Sequence, residues 1–377
     1  MKIVRVEATP LKIPISYAAL GIDKPGTNNL THVEVETDSG LVGYGVTSIT
    51  QSRPVSEAVN SVLGPAIIDM DPLAHEKIWD VMYWTATPWG QTGYASHAIS
   101  AIDLALWDIK GKALDMPVWR ILGAARDRVP IYATCGFSFL DDDELVDVVK
   151  HVVADGFRGI KLQVGRFDAR PEKGAPSLVE IIAGDIRRVG KVREAIGPDI
   201  ELAVDAGCCL DLLSARRLCE NIQQLDIAFF EEPIRQNDVR LLAQLRQLTS
   251  IPLSAGQNEG LGYRFRDMLL AEAVDFIQPN VIITGGLTEC LRIAGLASGF
   301  NMKIAGNGGG APMHNVHLQA GVSNGTAVEY QYKAVAAMEV LYGQAPRHEN
   351  GCMIPPDAPG LGLSIDPDVV RNCVNQG

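Results

Sequence analysis

The sequence predicts an α/β protein in which a closed barrel of parallel strands follows an N-terminal α+β region. Hydrophobic runs recur roughly every 25 residues in the second half of the chain, and one strand, one helix and two short loops fill such a step. Eight strands of this kind suit a closed barrel. The alternative is an open doubly wound sheet, which would lead us to expect a glycine-rich phosphate turn after an early strand, and the sequence has none.

The N-terminal region is predicted to be a small α+β unit. Residues 2–12, 31–37 and 41–46 have the pattern of strands, and the turn at 38–40 has the sequence of a hairpin. Between residues 56 and 114 the pattern becomes helical, with apolar residues three and four positions apart. This region contains no phosphate loop and no metal-type spacing, so we expect the chemistry to lie elsewhere.

The predicted barrel begins with strands at 129–136 and 156–165. Six further hydrophobic runs follow, and each ends on one polar residue: Asp205, Glu231, Gln257, Asn280, Asn307 and Glu329. Strands that alternate with helices pair in parallel, which gives eight parallel strands between about 130 and 331. The tail from about residue 341 is rich in Gly and Pro, and we expect it to pack against the N-terminal region.

Composition excludes several classes of function. The net charge of −12 leaves no basic stripe for nucleic acid. No apolar run approaches the ~18 residues of a membrane span, and the N-terminus lacks the apolar core of a signal peptide. The seven cysteines are odd in number and include no C-x-x-C pair, so neither a disulfide framework nor a zinc site is indicated. We therefore expect a cytoplasmic protein that binds neither nucleic acid nor membrane.

Polar residues at the carboxyl ends of barrel strands are the candidates for function, since ligands bind at that end of βα barrels. Asp205 and Glu231 end neighbouring strands, and with the amide oxygen of Gln257 they form an all-oxygen set suited to Mg²⁺. Lys161 adds a positive charge beside them. Such a site would stabilise an enediolate, formed when a proton leaves the carbon next to a carboxylate. The alternative is that each acid merely caps a neighbouring helix.

Several segments carry a resemblance to a known family, and together they span nearly the whole chain. They are THVEVETDSGLVGYG, AIDLALWDIKGKAL, GFRGIKLQVG, FFEEP, AVDFIQPN with GGLTE, GGGAPMHNVHLQA and PDAPGLGLSID. On these motifs the chain resembles the enolase superfamily, and specifically its mandelate racemase branch. The resemblance implies a modified TIM barrel, (β/α)7β, with an α+β capping domain. The capping domain would take residues 1–125, the barrel 126–340, and the segment 341–377 would return to the cap.

The same resemblance implies roles for individual residues. Asp205, Glu231 and Gln257 stand at the three positions that bind Mg²⁺ in the family, and Lys161 stands where a lysine steadies the substrate carboxylate. The acid of the last strand is kept as Glu329. The cap normally supplies contacts to substrate hydroxyls, and here Trp84, Trp89 and the 16–30 loop are the candidates. Relatives are commonly dimers or octamers, so we expect a homo-oligomer.

The chain departs from the family where protons are usually transferred. The second lysine of the K-x-K strand is Gln163, the acid of the His–Asp dyad is Asn280, and its histidine is Asn307. Amides cannot take up a proton near neutral pH, so a two-base racemisation is disfavoured. The change of an acid to Gln257 removes one negative charge, and we expect weaker Mg²⁺ binding.

We therefore expect an enzyme, a lyase or isomerase, that acts on a small hydroxy- or sugar-acid carboxylate and removes a β-hydroxyl as a dehydratase. Lys161 is the expected base. Tyr132 and His314 are further candidates for contact with substrate, and Glu259 is a less favoured source of a displaced carboxylate. The alternatives are a non-catalytic or regulatory binder of acid sugars, and an isomerase or cycloisomerase with non-standard, metal-independent chemistry.

Overall fold

A computed structural model describes residues 1–87, 92–166, 175–306 and 311–375. The N-terminal sheet is antiparallel, in the order β1-β2-β3, with strands β1 Ile3–Ser16, β2 Pro25–Thr37 and β3 Val42–Ser48. Strands β1 and β2 are both longer than predicted, because they stay paired out to Ser16 and Pro25. The expected 16–30 loop is thus a single 3-10 turn, Ala18–Leu20, followed by strand from Pro25 onward.

Helices cover one face of this sheet. They are α1 Ser52–Ala58, α2 Gly64–Ile67, α3 His75–Ala86, α4 Tyr94–Ala113 and α5 Val118–Ile121, with a π-helical turn at Val59–Leu63. Helix α4 packs directly on β3, where two glycines permit close approach. A Cβ added at Gly45 would lie 1.9 Å from the carbonyl oxygen of Ala101. The helix and the strand therefore touch through their backbones.

The described residues form eight parallel barrel strands. They are β4 Val129–Gly136, β5 Gly159–Gln163, β6 Glu201–Asp205, β7 Ile227–Glu231, β8 Leu253–Ala255, β9 Phe276–Ile277, β10 Ile304–Gly306 and β11 Gly325–Gln331. Neighbouring strands pair in sequence order, and β11 also pairs with β4, which closes the barrel. The predicted modified TIM barrel with an α+β cap is confirmed.

Helices surround the barrel on its outer side. They are α6 Asp142–Ala154, α7 Leu178–Ile196, α8 Leu212–Ile222, α9 Val239–Arg246, α10 Gly262–Leu270, α11 Gly286–Gly299, α12 Pro312–Gly321 and α13 Tyr332–Tyr342, with 3-10 turns at Gln223–Leu225 and Arg235–Asn237. Capping boxes fix the starts of two of them, at Asp141 with Glu144 and at Ser177 with Glu180. The first turns of α6 and α7 are thus held by side chains at their own N-termini.

The C-terminal segment contacts both parts of the molecule. It contains β12 His348–Glu349, β13 Cys352–Met353 and α14 Pro367–Asn372, and β13 pairs antiparallel with β4. The amide of Lys12 donates to the carbonyl of Cys373 at 2.8 Å, so the segment also reaches β1 of the cap. The exact domain limits of 1–125, 126–340 and 341–377 stay a prediction. Among the described residues, no helix has both the length and the apolarity to cross a membrane.

Candidate active site

The carboxyl ends of the barrel strands bring four charged side chains together. Lys161 lies on β5, Asp205 ends β6, and Glu231 ends β7 directly beside Asp205 in the strand register. Glu329 lies on β11, and it joins the group because β11 pairs with the first barrel strand, β4. The sequence predicted each of these four residues at the barrel mouth, and the fold places them in one cluster.

Lys161 is the centre of this cluster. Its Nζ lies 2.5 Å from Oε2 of Glu231, 3.0 Å from Oε1 of Glu329 and 4.0 Å from Oδ2 of Asp205. Lys161 and Glu231 are fully buried, and the other two carboxylates are nearly so. Three carboxylates therefore surround one ammonium group in a site that excludes most solvent.

This environment sets the charge state of Lys161 in the cluster, while its predicted role as a base stays a prediction. Burial by itself lowers the pKa of Lys161, but the charges of Glu231, Glu329 and Asp205 outweigh it and hold that pKa well above its ordinary value. The three carboxylates therefore favour the ammonium form of Lys161, which is suited to bind a carboxylate and to balance charge.

Glu329 has one carboxylate oxygen that is already bound and one that is open. Its Oε1 accepts hydrogen bonds from the hydroxyl of Thr134 and pairs with Lys161. Its Oε2 is buried and has no hydrogen-bond partner in the described part of the chain. A buried carboxylate oxygen without a partner is costly, and a bound ligand can satisfy it.

Glu231 is held by Gln278, a residue that the sequence analysis did not single out. The side-chain amide of Gln278 donates to Oε2 of Glu231 at 3.1 Å and to the hydroxyl of Tyr132 at 3.4 Å. Burial raises the pKa of Glu231, and Lys161 opposes that rise. The position of Gln278 directly after β9 carried a signal for it, since ligands bind at the carboxyl ends of barrel strands.

Asp205 already has a partner at each oxygen. Nη2 of Arg166 lies 2.9 Å from Oδ2, and the backbone amide of Gly207 donates to Oδ1 at 2.7 Å. Sequence reasoning did not single out Arg166, because it lies three residues beyond the end of β5. Lys161 belongs to the K-x-K strand, but no motif in this segment indicated that a second cation would contact Asp205.

The donor set can be compared with the needs of Mg²⁺. No group of three or more His, Cys, Asp or Glu side chains within residues 1–87, 92–166, 175–306 and 311–375 could hold a metal ion. An ion here would therefore need the amide oxygen of half-buried Gln257 beside Asp205 and Glu231. Carboxylate and amide oxygens are ligands that Mg²⁺ accepts. The chemistry of the donors fits Mg²⁺, although both carboxylates already contact cations.

Two of the three amides predicted at proton-transfer positions are described, and both make hydrogen bonds. Oε1 of Gln163 accepts from the backbone amide of Ser138 at 3.2 Å. Oδ1 of Asn280 accepts from Nδ2 of Asn315 at 3.0 Å, which ties the loop after β9 to α12. Asn307 lies outside the described residues.

Two further acids near the strand ends belong to a separate network. Buried Glu232 accepts hydrogen bonds from the amides of Asn237 and Asn258. Glu259 accepts from Asn237 at 2.9 Å and pairs with Arg264 at 2.8 Å. These partners hold Glu259 in a structural ion pair, which opposes its less favoured assignment as a displaced carboxylate of the site.

The predicted substrate-binding residues differ in their position relative to the charged cluster. The ring of Tyr132 lies 5.4 Å from Nζ of Lys161, at the floor of the cluster. His314 is fully buried, with Nε2 3.4 Å from the hydroxyl of Tyr342, a position that favours a structural role. Trp84 is 64% exposed on α3 and packs edge-on against Tyr83. Trp89 lies outside the described residues, and the contacts of all four with substrate stay a prediction.

A cavity of about 550 Å³ reaches Arg166, the partner of Asp205, but the four charged residues of the cluster do not line it. Gln163, Arg188 and Arg235 contribute to its wall together with the acid Asp185. Its size falls within the ~300–1,000 Å³ typical of small-molecule sites.

Comparison with known protein families matches most of the chain to one family. Residues 1–123 match the family described as "Mandelate racemase / muconate lactonizing enzyme, N-terminal domain", and residues 144–369 match "Enolase C-terminal domain-like". The chain is 30% identical to arabinonate dehydratase from Saccharolobus solfataricus over 338 residues, which are 88% of this chain and 87% of that relative.

Solved structures give the same result. The fold is similar to 3,6-anhydro-D-galactonate cycloisomerase from Zobellia galactanivorans, with a TM-score of 0.87, 29% identity and 100% of both chains covered. It is also similar to L-talarate dehydratase from Polaromonas sp. JS666, solved with Mg and L-glucarate. There the TM-score is 0.84 and the identity 28%, over 99% of this chain and 97% of the other.

Proposed function

Because this chain belongs to the mandelate racemase/muconate lactonizing enzyme family of the enolase superfamily, we propose that it is a lyase that dehydrates an acid sugar. The observation that carries the proposal is the burial of Lys161 among Glu231, Glu329 and Asp205 at the barrel mouth. A fixed ammonium ion in a dry site is suited to bind a carboxylate and to stabilise the negative charge that develops on it.

We propose Mg²⁺ as the cofactor, held by Asp205, Glu231 and Gln257. When bound, the ion would polarise the substrate carboxylate and stabilise the enediolate. Gln257 supplies an amide oxygen where a third acid would add a negative charge, so we expect weaker binding than at a site with three acids. The magnesium in the L-talarate dehydratase structure supports this assignment.

Two side chains of the cluster would act on the substrate directly. Lys161 would hold one carboxylate oxygen through its ammonium group. Oε2 of Glu329, buried and without a partner among the described residues, would take up the proton from the carbon next to the carboxylate. The protonated Glu329 would then give this proton to the hydroxyl on the next carbon. The bond from the first carbon to hydrogen and the bond from the next carbon to hydroxyl both break, a double bond forms between the two carbons, one water leaves, and the enol tautomerises to a 2-keto-3-deoxy acid.

The amides orient the substrate in this proposal. Gln163 lines the arginine-rich cavity and can hydrogen-bond to hydroxyl groups, but it cannot accept a proton. A racemase needs a proton carrier on each face of the substrate, and Gln163 and Asn280 cannot serve as such carriers. The proposed reaction is therefore an elimination, in which one acceptor suffices.

The cavity supports a small, anionic, hydroxylated substrate. Three arginines line it, and its volume of about 550 Å³ is large enough for a sugar acid. The named relatives act on such molecules, as arabinonate dehydratase does by its name. We further propose that the protein is a cytoplasmic homo-oligomer, a dimer or octamer, which light scattering coupled to gel filtration would test.

A cycloisomerase is the second candidate. The similarity to 3,6-anhydro-D-galactonate cycloisomerase over the whole chain favours it. Such a reaction also begins next to a carboxylate, but the product has the mass of the substrate. A binding protein without turnover is the third possibility, and the amides at Gln163 and Asn280 favour it because they keep hydrogen bonding without proton transfer.

One experiment separates these candidates. The protein is incubated with Mg²⁺ and a library of aldonic and aldaric acids, and each mixture is analysed for keto acid and by mass spectrometry. A lyase yields a product lighter by one water, and a cycloisomerase yields a product of unchanged mass. Ligands that raise the melting temperature without any product would overturn the proposal and support the binding protein.

A further inference from the structure

Arg166 places a second cation against the carboxylate cluster. Its guanidinium pairs with Oδ2 of Asp205 at 2.9 Å, and its side chain is only 28% exposed. Asp205 is itself 9% exposed. This is a largely buried ion pair, and it involves the residue that the proposed metal site uses as its first ligand.

Gly207 makes room for this arginine. A Cβ added at Gly207 would lie 1.7 Å from Nη1 of Arg166 and 2.5 Å from its Cζ. Any other residue at 207 would therefore displace the guanidinium from its position on Asp205. Gly207 also has a φ of 50°, which other residues adopt with strain, and its backbone amide donates to Oδ1 of Asp205.

The charges of the cluster show what Arg166 contributes. Three carboxylates, from Asp205, Glu231 and Glu329, surround Lys161 alone. Without Arg166 the buried group would carry an excess of two negative charges, and with it the excess is one. A divalent ion on Asp205 would meet the positive charge of Arg166 at close range, and like charges repel strongly where water is excluded.

We propose that Arg166 is a built-in cation that occupies Asp205 in the metal-free protein and competes with a divalent ion for it. The inference rests on the metal site proposed above. Metal binding then requires the guanidinium to leave Asp205, so part of the binding energy is spent on breaking this pair. The chain thus limits its own metal affinity through Arg166, in addition to the effect of Gln257.

Calorimetric titration with Mn²⁺ tests the competition. Arg166→Gln should bind Mn²⁺ on the order of tenfold more tightly than the wild type, because a competing charge is removed. Arg264→Gln is the matched control, since it removes the same charge from a neighbouring arginine–carboxylate pair, with Glu259. A change for Arg166→Gln no larger than that for Arg264→Gln would overturn the proposal.

Stability without metal gives a second readout. In EDTA, Arg166→Gln should melt at least about 3 °C below the wild type, because Asp205 loses its counter-charge, and Mn²⁺ should restore the melting temperature. An unchanged melting temperature in EDTA would contradict the role of Arg166 as a counter-charge.

A second variant covers the case in which Arg166→Gln does not fold. Gly207→Ala keeps the arginine in the chain but fills its position on Asp205, so it should also bind Mn²⁺ more tightly. Unchanged affinity in Gly207→Ala would overturn the competition. Absence of Mn²⁺ binding in the wild type and in every variant would overturn the metal site as well, which separates the two failures.

Discussion

Lys161 and Glu231 form an ion pair of 2.5 Å in which neither side chain is exposed to solvent. Such a pair is expensive to desolvate, and the cost is offset only when further partners satisfy both groups. Here Glu329 supplies a second carboxylate for the lysine, and Gln278 supplies a second donor for Glu231. The pair is therefore built into the barrel, and removing Lys161 leaves the buried carboxylates of Glu231 and Glu329 without their shared ammonium group.

The first prediction concerns stability. Lys161→Met should destabilise the protein by about 3–5 kcal/mol, because it leaves buried carboxylates without their ammonium. Urea unfolding in EDTA measures the change. The double variant Lys161→Met with Glu231→Gln should recover part of the loss, since it removes one of the uncompensated charges. A single variant within about 1 kcal/mol of wild type would show that the pair does not balance the cluster.

The second prediction concerns proton transfer. Glu329→Gln should lower kcat by roughly 10²–10⁴-fold, the range expected when a general base is removed. Thr134→Val is the matched control, because it removes only the hydroxyl that donates to Glu329. Its kcat should fall by less than about tenfold. Equal losses in the two variants would mean that Glu329 only positions other groups.

The third prediction concerns the metal ligand. Gln257→Glu should tighten Mg²⁺ binding by on the order of tenfold, because a third carboxylate adds a negative charge at the ion. Calorimetric titration checks this. Gln224→Glu, in the 3-10 turn after α8, adds the same charge on the exposed surface and should leave the affinity unchanged within about twofold. Similar tightening in both variants would point to net charge and not to ligation.

The fourth prediction concerns the contact between α4 and β3. Gly45→Ala should destabilise the protein by at least about 2 kcal/mol, since its Cβ would collide with the backbone of Ala101. Gly190→Ala on α7 should instead stabilise the protein. A Cβ there meets no atom within 4 Å, and alanine loses less backbone entropy than glycine on folding into a helix, so the gain should be roughly 0.5–1 kcal/mol. Thermal and urea unfolding measure both effects, and the two signs should differ.

The fifth prediction concerns pH. His97 is buried against Thr47, and burial lowers the pKa of His97 from 6.5 to about 4. The unfolded chain therefore binds this proton more readily, and stability is lost as the pH falls from 6.5 to 4, by up to about 3 kcal/mol. The stability difference between wild type and His97→Gln should shrink over that window. A difference independent of pH would contradict the buried, neutral histidine.

Much of the fold could be predicted because its signals are local. The repeating strand-and-helix step gave the barrel, and polar residues after apolar runs gave Asp205 and Glu231. The start of β2 was predicted too late in the chain, because Thr27, Asn28 and Asn29 are polar and lack the pattern of a strand. Backbone pairing with β1 keeps these residues in the strand, and such pairing cannot be predicted from the residues of one segment.

The sequence predicted which charged residues meet at the barrel mouth, but not how their charges pair. The sequence placed Lys161 at the barrel mouth, where the structure also has it, and its role as a base stays a prediction. The carboxylate of Glu329 reaches Lys161 only when β11 closes on β4, far away in sequence. Arg166 was missed because its partner Asp205 lies on the next strand, far from it in sequence. The missing side chain of Gly207 leaves room for the guanidinium beside Asp205.

The proposed dehydration is tested most directly by running the reaction in D₂O. With Mg²⁺ and an acid sugar that stabilises the protein, we expect a 2-keto-3-deoxy acid that carries one deuterium at carbon 3, detected by NMR. EDTA or Glu231→Gln should abolish this product. The absence of any keto acid from every stabilising acid sugar, with Mg²⁺ bound, would contradict the assignment as a dehydratase.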